Sequence, residues 1–160
     1  MSLLEIDKEN LPRHIAVIMD GNGRWAKKKG QRREYGHRAG RKAVKRIVES
    51  CAELKIKNLT LYAFSTENWN RPKLEIDFLM QLLLLSLKDE LKNLNKNNIK
   101  FKTIGNLERL PKKISNYLLK VKKETKDNSA LTLTLALSYG SRNEIVNVVR
   151  EISDKVKNNI

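Results

Sequence analysis

HIAVIMDGNGRWAKKKG, residues 14–30, sets an apolar run against a single acid, two glycines that bracket an asparagine, and then an arginine. The uninterrupted stretch IAVIM at 15–19 reads as a parallel-sheet strand covered on both faces. The break after it reads as a turn that brings something close to the backbone, because glycine exposes successive N–H groups with no side chain in the way. NLTLYAF at 58–64 has the same apolar character. Between the two runs lies GHRAGRKAVKRIVESCAEL, in which Ala39, Ala43, Ile47, Cys51 and Leu54 recur at spacings of three and four. That spacing predicts a helix with one apolar face and with Arg and Lys on the other. A strand, a crossover helix and a second strand make one unit of a parallel sheet.

The alternation continues through a helix near 74–94, a strand IKFKTIG at 99–105, a helix begun by Pro111, a strand LTLTLAL at 131–137 and a last helix from about Arg142. Four such units predict an α/β fold: an open parallel β-sheet flanked by helices. Sheets of this type hold ligands outside the carboxyl ends of their strands. The unusual residues fall there: DGNGR at 20–24, STENWNR at 65–71, Gly105 with Asn106, and SYGSR at 138–142.

At 160 residues, 40% of them hydrophobic, the chain reads as one domain over 1–160 with a core that needs no disulfide. Cys51 stands alone, and MSLLEIDKENLPR at 1–13 lacks the basic-then-apolar build of a signal peptide, so a cytoplasmic protein is expected. The apolar run FLMQLLLLSL at 78–87 is well short of the roughly 20 residues that span a bilayer. It is apolar all round apart from Gln81 and Ser86, which predicts burial on two sides: one on the sheet, the other lining a ligand cavity or meeting a subunit partner. Enlarging Leu82, Leu83 or Leu85 is expected to test which.

The net charge of +15 calls for an anionic partner: nucleic acid, a phosphate-bearing small molecule or an acidic membrane surface. Much of the excess sits in 24–46, where Glu34 is the only acid. The glycines of DGNGR with Arg24 make the parts of a phosphate cradle, although a plain capped turn would use the same residues. Asp20 would be repelled by a bare diphosphate, which suggests a bridging hard cation, most simply Mg²⁺. Arg32, Arg33 and His37 follow where a helix begins and could complete a diphosphate site, or form a solvated basic face. In STENWNRP, Ser65, Asn68 and Arg71 can orient polar ligand groups while Trp69 covers an apolar or cationic portion; a turn leading to Pro72 explains only part of the stretch. A nucleic-acid-binding module built on 24–46 is the competing reading, but it offers only Trp25 and Tyr35 as aromatics and leaves Asp20 and the Leu-rich helix without a role.

HIAVIMDGNGRWAKKKG, GHRAG, LTLYAFSTENWNRP and LALSYGSRNEIV, in this order and spacing, resemble the cis-prenyltransferase family and within it the undecaprenyl diphosphate synthases, over residues 11 to about 155. The resemblance implies an Mg²⁺-dependent homodimer. It implies condensation of farnesyl diphosphate with successive isopentenyl diphosphates in cis, giving undecaprenyl diphosphate for the lipid carrier of cell-wall synthesis. It also implies a peripheral membrane contact at product release and no nucleic-acid partner. It makes Asp20 the catalytic, metal-binding aspartate. Gly21, Asn22, Gly23, Arg24, Arg33 and His37 would form the allylic diphosphate site, with Trp25 adjoining. Ser65, Thr66, Glu67, Trp69 and Arg71 would form a second substrate segment, with Asn68 accepting a proton. The family pattern continues with two more strands and a segment rich in Arg, Gly, Glu, Ser and Asn that grips isopentenyl diphosphate and supplies a metal-binding glutamate. The sequence is therefore expected to be a fragment of a longer protein, or else a non-catalytic partner subunit.

Overall fold

The structure, a computed structural model, describes residues 6–158, so part of the leader at 1–13 lies outside the described residues. Strand β1 (His14–Ile18) is followed by helices α1 (Asn22–Lys28) and α2 (Arg33–Glu53). Then come β2 (Asn58–Ser65), a 3₁₀ turn (Thr66–Asn70), α3 (Lys73–Lys96), β3 (Ile99–Ile104), α4 (Lys112–Glu124), β4 (Leu131–Tyr139) and α5 (Ser141–Lys157). Every strand pair is parallel and the order is β1-β2-β4-β3, so the α/β sheet is as the sequence predicts. No helix among the described residues is long and apolar enough to cross a membrane.

The strands are not covered on both faces throughout. Odd-numbered residues, Leu59 and Leu61 on β2, Ile99 and Phe101 on β3, and Leu131, Leu133, Leu135 and Leu137 on β4, point into one core, as a two-residue period requires. On β1 the odd residues Ile15 and Val17 pack against that core, but His14 and Ala16 are exposed and Ile18 is 76% exposed. β1 is an edge strand whose second face has no cover among the described residues, which corrects the reading of IAVIM. Helix α5 shares that condition: Ile145, Val149, Ile152 and Val156 are all exposed.

Of the expected α2 stripe, Ile47 and Leu54 pack on the core and Cys51 is buried in it, where burial pushes its thiol pKa up; Val44 and Val48, outside that stripe, take the places expected of Ala39 and Ala43. α3 buries one side rather than the two expected. Met80, Leu87, Leu91 and Leu94 are fully buried, while Leu85, on the opposite side, is 48% exposed.

The short helix α1 has no counterpart in the sequence reading, which leaves DGNGR as a turn. Seven residues with asparagine and glycine at their start make a poor helix in isolation, and packing against α2 supplies what length and propensity lack. The two helices meet where α2 has no side chain: a Cβ on Gly36 would fall 2.0 Å from the backbone oxygen of Asn22.

Candidate active site

Asp20 leaves the carboxyl end of β1 and is tied down at once. Its Oδ1 accepts the Gly21 N–H at 2.5 Å and its Oδ2 accepts from Arg24 at 2.6 Å. Those two contacts, the backbone one first, hold its carboxyl below the usual value, so it stays ionised near neutrality. Both side chains remain about three-quarters exposed, at 75% and 76%, so the pair is open to exchange with an incoming ligand. Gly21, at φ +84°, caps α1 without a side chain, and the Arg33 guanidinium lies over Gly23, within 3.0 Å of where a Cβ would be.

The basic residues converge on a carboxylate that the sequence reading passes over. Glu75 Oε1, on the first turn of α3 and 12% exposed, accepts from Arg71 at 2.9 Å and from Arg33 at 3.2 Å, and lies 3.6 Å from His37 Nε2. One oxygen thus joins side chains from α2 and from the segment after β2. The signal was the four-residue spacing of Arg71 and Glu75 at the entry to α3, although Arg71 itself is extended and precedes the helix. His37 Nε2 is buried without a partner in hydrogen-bond range, 3.6 Å being too long. Burial holds the imidazole pKa below its ordinary value, and Glu75 only partly opposes this.

Asp20, the Gly21 to Gly23 turn, Arg24, Arg33, His37, Asn68 and Arg71 all line the mouth of one cavity of about 280 Å³. Its apolar lining comes from Val44 and Val48 of α2, Leu79, Leu82, Leu83 and Leu87 of α3, and the odd-numbered face of β2, β3 and β4. The cavity therefore lies between the sheet and helices α2 and α3, with a basic cluster at the carboxyl end of β1, hydrocarbon along the sheet, and Arg41, Lys45, Glu49 and Glu90 on the two helices also in its lining.

Other residues expected at the site stand apart from this mouth. Trp25 stacks on Tyr35, with centroids 5.6 Å apart and rings 4° from parallel, beneath the Lys29 ammonium, and is 41% exposed. Ser65, Thr66 and Glu67 do not line the cavity. The backbone N–H of Glu67 itself, then the hydroxyls of Ser65 and Thr66, hold the Glu67 carboxyl pKa below its ordinary value. Ser65 and Asn68 close the 3₁₀ turn on each other, with Asn68 Oδ1 accepting the Ser65 N–H at 3.2 Å, so one lone pair of the expected proton acceptor is already used. Trp69 turns inward, edge-on to Phe64 with centroids 4.9 Å apart and with the Arg109 guanidinium 5.1 Å over its ring. It packs on protein where the sequence reading has it covering a ligand.

The cation requirement suits this donor set in one way only. Among the described residues there is no group of three or more His, Cys, Asp and Glu side chains able to hold a metal. A single exposed carboxylate beside an anion site instead matches the manner of Mg²⁺, which binds through one or two carboxylates and takes its other ligands from phosphate and water.

A prenyltransferase family model described as undecaprenyl diphosphate synthase matches residues 18–160. The sequence is 49% identical over 150 residues to an isoprenyl transferase of Clostridium perfringens, covering 94% of this chain and 59% of that one. It is 47% identical over 149 residues to a ditrans,polycis-undecaprenyl-diphosphate synthase, (2E,6E)-farnesyl-diphosphate specific, of Photorhabdus laumondii, covering 93% and 59%. Among solved structures it resembles lavandulyl diphosphate synthase from Lavandula x intermedia in complex with dimethylallyl diphosphate. There the TM-score is 0.89 at 36% identity, covering 93% of this chain and 64% of that one. The chain spans about three fifths of the length of the curated relatives it matches.

Proposed function

Because the chain belongs to the undecaprenyl diphosphate synthase family of prenyltransferases, we propose that it forms the allylic-diphosphate half of an enzyme that elongates a prenyl chain in cis, from farnesyl diphosphate and isopentenyl diphosphate. The observation that carries this is the union of a cationic mouth and an apolar cavity in one space. A nucleic acid would have no use for the cavity, whereas an allylic diphosphate needs both ends.

In this reading the backbone N–H groups after Asp20, with Arg24, Arg33 and Arg71, hold the diphosphate, and the hydrocarbon tail lies along Leu82 and Leu83. Each condensation joins an allylic carbon to isopentenyl diphosphate, releases inorganic diphosphate and gives up one proton. The guanidinium groups stabilise the charge that builds on the leaving diphosphate. Asp20 would hold a divalent cation, which when bound adds neutralisation of the same charge. Asn68, at the mouth, orients the group that loses the proton. The open second face of β1 and the bare apolar residues of α5 support a longer protein, with the isopentenyl diphosphate grip and a homodimer contact in further chain. The full-length gene product, given farnesyl diphosphate, radiolabelled isopentenyl diphosphate and Mg²⁺, is expected to give labelled chains longer than the primer. Label found only in unreacted isopentenyl diphosphate would sink the reading.

His37 gives this reading a pH signature. Its pKa is depressed in the free protein, so it is neutral near pH 7, and a diphosphate beside it favours the protonated form. Binding therefore takes up a proton, and affinity should rise as pH falls through the window between the free and bound pKa values. Inorganic diphosphate titrates in the same range, so the informative quantity is the difference between the parent protein and His37→Gln. Calorimetry in buffers of different ionisation enthalpy is expected to show proton uptake in the parent beyond that in the variant; equal uptake would remove His37 from the anion site.

A further inference from the structure

We infer that Ser138 is a positioning residue for the reaction, acting through Trp69 to set Asn68 and Arg71 at the mouth of the cavity; this rests on the functional reading above. Ser138 ends the regular part of β4. It is 2% exposed and holds φ at +50°, a left-handed backbone that serine seldom adopts. In that conformation its Oγ accepts the indole N–H of Trp69 at 3.0 Å, across 69 positions of sequence. This is the only side-chain hydrogen bond described for either residue.

The surroundings fix the purpose of that bond. The ladder between β2 and β4 shifts register twice near Phe64, and its last pair is Ser65 with Tyr139. The turn carrying Trp69 thus starts level with the residue after Ser138. Gly140 seats the turn from below: a Cβ there would fall 2.5 Å from Thr66 Oγ1. Trp69 is held on its ring by Phe64 and Arg109 and at its polar edge by Ser138. Its neighbour Asn68 and, two positions on, Arg71 are the residues of the turn region that reach the cavity mouth. Fixing the indole at three points fixes both, since a five-residue 3₁₀ turn leaves little slack. Apolar packing alone would let the ring rock about its contacts, and a directional N–H bond removes that freedom.

Glycine at 138 separates positioning from folding, because it deletes the acceptor while accepting a positive φ at no steric cost. In the full-length enzyme, Ser138→Gly is expected to keep the melting temperature of the parent but lower kcat between about ten- and a hundredfold, the range that small misplacements of catalytic groups produce. Trp69→Phe keeps a ring but loses the N–H donor, and should do the same. The double variant should be no worse than the poorer single one, since both remove one interaction. Independently, in a background where Trp25 and any tryptophan of the further chain are replaced by phenylalanine, so that Trp69 alone emits, Ser138→Gly should shift its emission to the red and increase its quenching by acrylamide. Wild-type kcat in both single variants, losses that multiply in the double variant, or unchanged Trp69 emission would each overturn the inference. A parent enzyme without condensation activity would instead refute the functional reading, leaving the emission experiment to decide whether the lock exists.

Discussion

Asp20→Ala is expected to lower condensation by about three orders of magnitude in the full-length enzyme, comparable with removing a preorganised charge-stabilising group from other active sites. The side chain is three-quarters exposed and makes only local contacts, with Gly21 and Arg24, so the fold should survive its loss. Circular dichroism and the melting temperature should match the parent. Loss of the carboxylate should also weaken the dependence on Mg²⁺, because the described residues offer no group of three or more metal-ligating side chains to take its place. Measuring kcat across an Mg²⁺ titration tests both points; a variant with parental turnover would remove Asp20 from the chemistry.

A second large effect should come from the cavity wall. Leu83→Trp places an indole where the growing chain must pass, so the product should shorten by several isoprene units. An apolar space filled during late elongation has no room for both. Leu82→Trp should act similarly, because both residues line the cavity. Leu85→Trp is the control, since Leu85 is 48% exposed and lies outside the lining. Chromatography of the reaction products should show short chains for the first two and parental lengths for the third. Parental lengths in all three would mean that the hydrocarbon tail runs elsewhere.

The sheet, its parallel sense and four of the helices were legible because period-three-and-four and apolar-run signals are local. Which strand lay at the edge was not, because IAVIM is as apolar as a strand covered on both faces, yet β1 is paired on one side only while β2 and β4 are paired on both. Helix α1 escaped because it is only seven residues long and opens on Asn22 and Gly23, and the stabilising partner, the bare backbone at Gly36, sits on another helix. At the candidate site, Asp20, Arg24, Asn68 and Arg71 follow strand ends and Arg33 and His37 stand where α2 begins, and all six line one cavity. Glu75 was overlooked although its spacing from Arg71 carried the signal. Trp69 packs on protein for a reason that local sequence hides. An aromatic in a polar loop reads as a ligand contact, and its real hydrogen-bond partner, Ser138, lies too far along the chain for any local pattern to show.

The central claim is that one allylic diphosphate spans the basic mouth and the apolar cavity. A crystal structure with farnesyl thiodiphosphate, whose leaving group resists ionisation, tests it most directly. The account predicts the diphosphate against the Gly21 to Gly23 backbone and within reach of Arg33 and Arg71, with the hydrocarbon tail between α2 and α3 beside Leu83. A diphosphate seated on the exposed lysines of α1, or a tail lying outside the sheet and helix α3, would contradict it.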